Sequence, residues 1–171
     1  MVRHFLELLW EITKKELQVR YKHTVFGFLW LIANPLMQML VIGFVFPLFI
    51  KEPVKHYYYY LFAGLLAWNF FSLSLSKATQ SIVFERSLIK KAVFPRMVIP
   101  ISIVLSNLIN FVIAFILFLI PVSFLQTLSV ASALYFLLGL SLLIIFTVGV
   151  TLLASSLNVK FRDINFFVQA I

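Results

Sequence analysis

Apolar residues fall in four long blocks: Leu29–Ile50, Tyr57–Ser76, about Met97–Ile120 and Ala131–Leu157. The blocks carry no charge and each has about the 20 residues that a membrane-crossing helix needs. The pattern before them differs. Over Met1–Phe28, Phe5, Leu8, Leu9, Ile12 and Val19 share one helical sector, flanked by Leu6, Trp10 and Leu17. His4, Glu7, Glu11, Lys14, Lys15, Gln18 and Lys22 take the opposite side. Trp10 on the apolar flank and lysines on the polar face predict a helix lying in the headgroup plane, favoured over an ordinary surface helix because the spans follow directly. Glu16 and Arg20 project into the apolar sector four residues apart and can pair there.

Between the second and third blocks lies Phe84–Pro100, FERSLIKKAVFPRMVIP. Leu88, Ile89, Ala92 and Val93 fall at helical spacing among Glu85, Arg86, Lys90, Lys91 and Arg96, which predicts a short amphipathic helix. Pro95 stops it near Phe94. Such a helix is either a partner-docking element or a solvated loop whose lysines only set topology. Lys51–His56 is a polar loop, Lys77–Val83 a connection, and Pro121–Val130 an uncharged loop. Asn158–Asn165 is polar and basic, and Phe166–Ile171 turns apolar, as though a further span of a longer protein starts there.

Within the spans, Pro35 frees a backbone carbonyl one turn back, which Asn34 can help satisfy. Tyr57–Tyr60 are four successive tyrosines, followed by Trp68 and Phe71. Tyrosine belongs to the membrane interface, yet four in a row on a helix point in all directions, so at least one faces inward. Rings that line a passage can stack on sugar faces. Ser72 and Ser76, then Ser102 and Ser106, have the small-residue spacing of close helix packing. Asn107 and Asn110 share a face, for bonding across to another helix or for lining a polar passage.

Composition agrees. The 171 residues are 63% hydrophobic and 12% charged, with a mean hydropathy of +1.05; soluble domains are nearer half apolar and a quarter charged. There are no cysteines, and three scattered histidines offer no metal-ligand spacing. The net charge of +8 follows from topology. Of the 14 lysines and arginines, all but Lys51 and Lys55 fall on one side of the four spans, which predicts a cytoplasmic N-terminus, central helix and C-terminal segment. No nucleic acid partner is needed to explain the charge. No charge lies deep in a span, which argues against a proton relay.

Three segments in order resemble the membrane subunit of type-2 ABC exporters, in the branch that exports O-antigen, capsule or teichoic acid. RYKHTVFGFLWLIANPL (Arg20–Leu36) is similar to that family's lead into its first span, SLIKKAVFPRMVIP (Ser87–Pro100) to its cytoplasmic coupling segment, and SLNVKFRDINFFVQ (Ser156–Gln169) to the stretch after its fourth span. The resemblance implies an all-α integral membrane fold: an interfacial N-terminal helix, four of the family's six spans, and a coupling helix between spans two and three. It implies a homodimer in the bacterial inner membrane, each subunit bound to a separate ATPase. The chain contains no GxxxxGK[ST] phosphate loop, so no catalytic site is expected on it, and ATP and Mg²⁺ would belong to the partner. Phe84, Glu85, Arg86, Leu88, Ile89, Lys90, Lys91 and Phe94 would dock on the ATPase, with Arg162 and Asp163 in a second contact. Tyr57, Tyr58, Tyr59, Tyr60, Trp68 and Phe71 would line the passage, and Trp10, Glu16 and Arg20 would mark the helix that admits a lipid-linked polysaccharide. Export of drugs or small lipids, or a structural role without transport, are the competing readings.

Overall fold

The computed structural model describes residues 2–22, 27–46, 57–91, 94–125 and 130–170. The chain forms α1 (Val2–Tyr21), a 3₁₀ turn at Gly27–Leu29, α2 (Trp30–Val45), α3 (Tyr57–Phe84), α4 (Arg86–Lys91), α5 (Val98–Leu125), α6 (Val130–Lys160) and α7 (Ile164–Gln169). No strand occurs among the described residues. By length and composition α3, α5 and α6 can each cross a membrane, and α2 is a shorter apolar helix. The fold is that of a helical integral membrane protein.

The helix α3 is the hub: α2, α4, α5, α6 and α7 all pack on it, while α1 lies along α5. Its two halves pack differently. Toward the tyrosine end the seam with α5 is aromatic and antiparallel, with Phe62 against Phe118 at 4.8 Å and Phe70 against Phe111 at 5.7 Å. Phe115 stacks on Phe136 of α6 at 4.1 Å between ring centres. Toward the basic end small residues are buried, Ser74, Ala78, Thr79 and Ser81 on α3 and Ser102 and Ser106 on α5, beside Leu75 of α3 and Val98, Ile99 and Ile103 of α5. The buried face of α6 is a stripe of the same kind, Thr147, Thr151, Ala154, Ser155 and Asn158. Small residues let backbones approach, which is what associates helices where lipid is as apolar as the side chains. The hydroxyls of Thr79, Thr147, Thr151 and Ser155 each donate to a carbonyl three or four residues back in their own helix. They therefore cross the seam without needing a partner there.

Several boundaries differ from the sequence expectation. Lys77–Val83, expected as a connection, continues α3, because Ala78, Thr79 and Ser81 are buried on neighbouring helices. Helix α5 runs through Pro121 to Leu125 rather than ending in a loop. A proline removes one backbone bond, whereas unravelling an apolar stretch would expose many. Helix α6 continues to Lys160, and Asn158, expected in a polar connection, is buried in it. Of the serines at 72, 74 and 76 on α3, Ser74 is the buried one and Ser72 and Ser76 are only partly covered, whereas Ser102 and Ser106 are buried as expected. The loop at 51–56 and the end of the first apolar block lie outside the described residues.

Tyr58 packs on the backbone of Gly43 in α2, its hydroxyl 3.5 Å from the Gly43 carbonyl. A Cβ at Gly43 would meet the Tyr58 ring at 2.6 Å. Gly43→Val is therefore expected to cost about 1–3 kcal/mol through overpacking. The check is a lower thermal midpoint in detergent that Tyr58→Ala, added to Gly43→Val, restores.

Candidate functional site

Three places carry the candidate residues: the basic end of α3, the aromatic half of the bundle, and the junction of α1 with α5.

At the basic end, Glu85 forms a turn between α3 and α4. Its amide donates to the Ser81 carbonyl, and its own carbonyl accepts from the Ile89 amide. Phe84 is 75% exposed although apolar. Arg86 and Lys90 are exposed and Ile89 is half-buried on α4, and Phe94 is half-buried after it. The side chains of Leu88 and Lys91, and all of Ala92 and Val93, lie outside the described residues. Glu85 is not a free charge: its Oε1 accepts from Lys15 Nζ of α1 at 2.9 Å. The end of α6 and the segment after it return to the same end of α3. Asn158 donates to the Thr79 carbonyl at 2.9 Å, and Gln80 donates to Asn165. Arg162 and Asp163, in the turn before α7, stay exposed. The chain's three polar segments thus converge on the last turns of one helix.

In the aromatic half, a cavity of about 420 Å³ opens between α3, α5 and α6. Tyr59 and Tyr60 line it with Phe111, Phe115, Phe118 and Phe136. Tyr57, Tyr58, Trp68 and Phe71 do not: Tyr58 faces α2, and Phe71 stacks on Phe146 of α6 at 5.6 Å. Of the six aromatic residues grouped together in the sequence, two share a hollow.

At the junction, Leu9, Ile12, Thr13, Glu16 and Arg20 form the covered side of α1, with Thr13 at 0% exposure in its middle. Leu6 and Trp10 project from one flank and Val19 from the other. The expected Glu16–Arg20 pair does not form. Arg20 Nη2 instead donates to Asn107 Oδ1 of α5 at 2.6 Å, and Asn107 Nδ2 donates to Ser74 Oγ of α3 at 3.1 Å. Beside it the Tyr21 hydroxyl donates to Asn110 Oδ1 at 2.9 Å. Burial raises the Tyr21 pKa, opposed by the Arg20 charge, so the phenol is a neutral donor. Asn107 and Asn110 are therefore helix-joining residues. Gln38 accepts from Asn69 at 2.9 Å between α2 and α3. The sequence signal for these contacts was the rarity of amides in apolar blocks; their partners were not readable.

The described residues hold no cluster of His, Cys, Asp or Glu able to bind a metal. A family model described as "ABC-2 type transporter" matches residues 7–171. The chain is 38% identical over 172 residues to a Klebsiella pneumoniae protein named "O-antigen export system permease protein RfbA", covering 97% of this chain and 64% of that protein. A Myxococcus xanthus protein of the same name is 32% identical over 162 residues, covering 95% of this chain and 62% of that protein. The chain thus spans somewhat less than two thirds of the curated relatives it matches.

Asn107→Leu removes an acceptor from a buried guanidinium and a donor from Ser74, at a cost of about 1–3 kcal/mol. Amide exchange in the last turns of α1 is expected to quicken while that in α6 is unchanged. Equal exchange in both would show that Arg20 does not hold α1.

Proposed function

The chain belongs to the ABC-2 type transporter family, and we propose that it is the transmembrane subunit of an ATP-driven exporter that carries a lipid-linked polysaccharide out of the cytoplasm. The observation that carries the reading is similarity to O-antigen export permeases across 97% of the chain. The charge bias supports a cytoplasmic basic end in a bacterial inner membrane.

On this reading ATP and Mg²⁺ bind a separate ATPase, and Phe84, Arg86, Leu88, Ile89, Lys90, Lys91 and Phe94 dock on it. The apolar members supply contact area and the cations set register. Glu85 belongs to the same docking segment, and its carboxylate also meets Lys15 of α1. Arg162 and Asp163 are exposed beside the docking segment and make the second contact. Closure of two ATPases on ATP turns α4 and moves α3 as a rigid body, with α7 following through Gln80 and Asn165. Two copies of the chain enclose the passage. Tyr59 and Tyr60 line the aromatic cavity, whose ring faces can hold an extended sugar chain without one fixed pose. The largely apolar lining also suits a small lipid, which is the second reading.

Co-purification of the full-length protein with an ATPase tests the first step. Ile89→Asp is expected to reduce the recovered ATPase at least tenfold while the thermal midpoint is unchanged. Undiminished recovery would remove α4 from the interface. For the second step, Tyr59→Leu with Tyr60→Leu is expected to lower polysaccharide export severalfold at equal membrane abundance. Unchanged polysaccharide export with altered lipid export would favour the small-lipid reading.

A further inference from the structure

Small residues leave open the hollow of about 420 Å³ between α3, α5 and α6. Ala63 and Ala67 of α3 and Gly139 of α6 share its wall with Phe111, Phe115 and Phe118 of α5. Elsewhere in the bundle small residues bring helices together, and a Cβ at Gly43 would strike the Tyr58 ring. Gly139 serves no such contact, because a Cβ there would meet no heavy atom within 4 Å. Nor does it turn the chain, since it lies inside α6. A glycine in a helix interior is destabilising relative to alanine. What Gly139 contributes in return is room.

Polarity and depth define what fits that room. Past Tyr59 and Tyr60, every lining side chain is alanine, glycine, valine, leucine or phenylalanine. A hollow of this kind stays dry: an apolar cavity of about 150 Å³ excludes water and takes up benzene. Sugar hydroxyls find no side-chain partners there, so sugar contact is confined to the tyrosine mouth. From Tyr59 to Ala67 α3 rises about 12 Å, and from Phe111 to Val122 α5 rises about 16 Å. Tyr57–Tyr60 mark a membrane interface, and half the hydrocarbon thickness is about 15 Å. The hollow therefore runs from one interface to about the middle of the bilayer. That is the reach of a single acyl tail in the leaflet farther from the basic end. Leu138 and Leu142, beside Gly139 on α6, are exposed, so the hollow adjoins the lipid from which a tail enters.

We propose that this hollow holds one acyl tail of a bilayer phospholipid as a resident part of the folded bundle, and that Gly139 makes room for it. The tail covers Phe111, Phe115 and Phe136, and its headgroup stays at the level of Tyr59 and Tyr60. Where a lipid tail sits is read independently of what is exported, so the site stands or falls apart from the exporter reading.

The full-length protein is reconstituted with phosphatidylethanolamine carrying a diazirine at the end of one tail. After irradiation, labelled residues are located by peptide mass spectrometry. Label is expected at the inner end of the hollow, on Ala67, Phe111 or Leu143. Gly139→Ala is expected to lower it about fourfold, the retention lost with one buried methylene, and Gly139→Leu by about tenfold or more. Neither is expected to lower the thermal midpoint in lipid-depleted detergent, since both residues favour helix over glycine. Gly149→Leu is the control: it lies farther along α6, a Cβ there also meets nothing within 4 Å, and it does not line the hollow. Its labelling is expected to equal that of wild type. Label confined to outward leucines such as Leu138 and Leu142, or equal labelling of wild type and both Gly139 variants, would mean that only bulk lipid passes the bundle and would overturn the proposal. No label in wild type, with a lowered midpoint for Gly139→Leu, would show that another segment of the protein fills the hollow, which also overturns it. Loss of label on adding a polyprenyl phosphate would make the hollow part of a cargo route and would overturn a resident tail.

Discussion

Helices surrounded by hydrocarbon gain nothing from hiding apolar surface from one another, so they stay together only where their backbones come close or their few polar groups meet. That constraint explains why α6, apolar over most of its length, buries threonines, serines, an alanine and an asparagine instead of its leucines. Most of its leucines face outward, where lipid suits them equally well, while Leu140 and Leu143 pack against the aromatic core. The same constraint explains the division of α3. Interlocked rings join it to α5 toward the tyrosine end, and close backbone approach does so toward the basic end.

Against this background a handful of polar contacts fix the arrangement. Gln38 and Asn69 set α2 against α3, and Arg20, Asn107 and Ser74 set α1 against α5 and α3. Each lies where water is scarce, so a misregistered partner would leave a polar group stranded. The contacts at the basic end differ in kind. The Lys15–Glu85 pair has side chains 51% and 29% exposed, and such a pair adds at most about 1 kcal/mol to stability. Its role is geometric, joining α1 to the turn that leads into α4.

The spans, the amphipathic N-terminal helix, the charge asymmetry and the family resemblance were all legible in the chain, because block length and helical period are local properties. Boundaries were less so. Lys77 reads as the start of a connection, yet the small residues beyond it have neighbours to bury against and keep the helix going. Glu16 and Arg20 look like partners at four residues' spacing, but an amide on α5 outcompetes the carboxylate. That outcome depends on how α1 is docked, which no local pattern encodes. The tyrosine run was readable as inward-facing in part, while which of its rings share a hollow depended on the register of α3 against α5 and α6.

The convergence of α1, α4 and α7 on the last turns of α3 makes that helix a lever. A rigid rod of about 42 Å, tilted by about 5° at its basic end, carries its opposite end through about 4 Å, roughly two thirds of the pitch of a helical turn. The seam near the basic end, where Ser74, Ala78, Ser102 and Ser106 lie among Leu75, Ile99 and Ile103, provides the fulcrum. The interlocked rings farther along provide the resistance, so the same tilt that is cheap at one end must repack Phe62, Phe118 and their neighbours at the other.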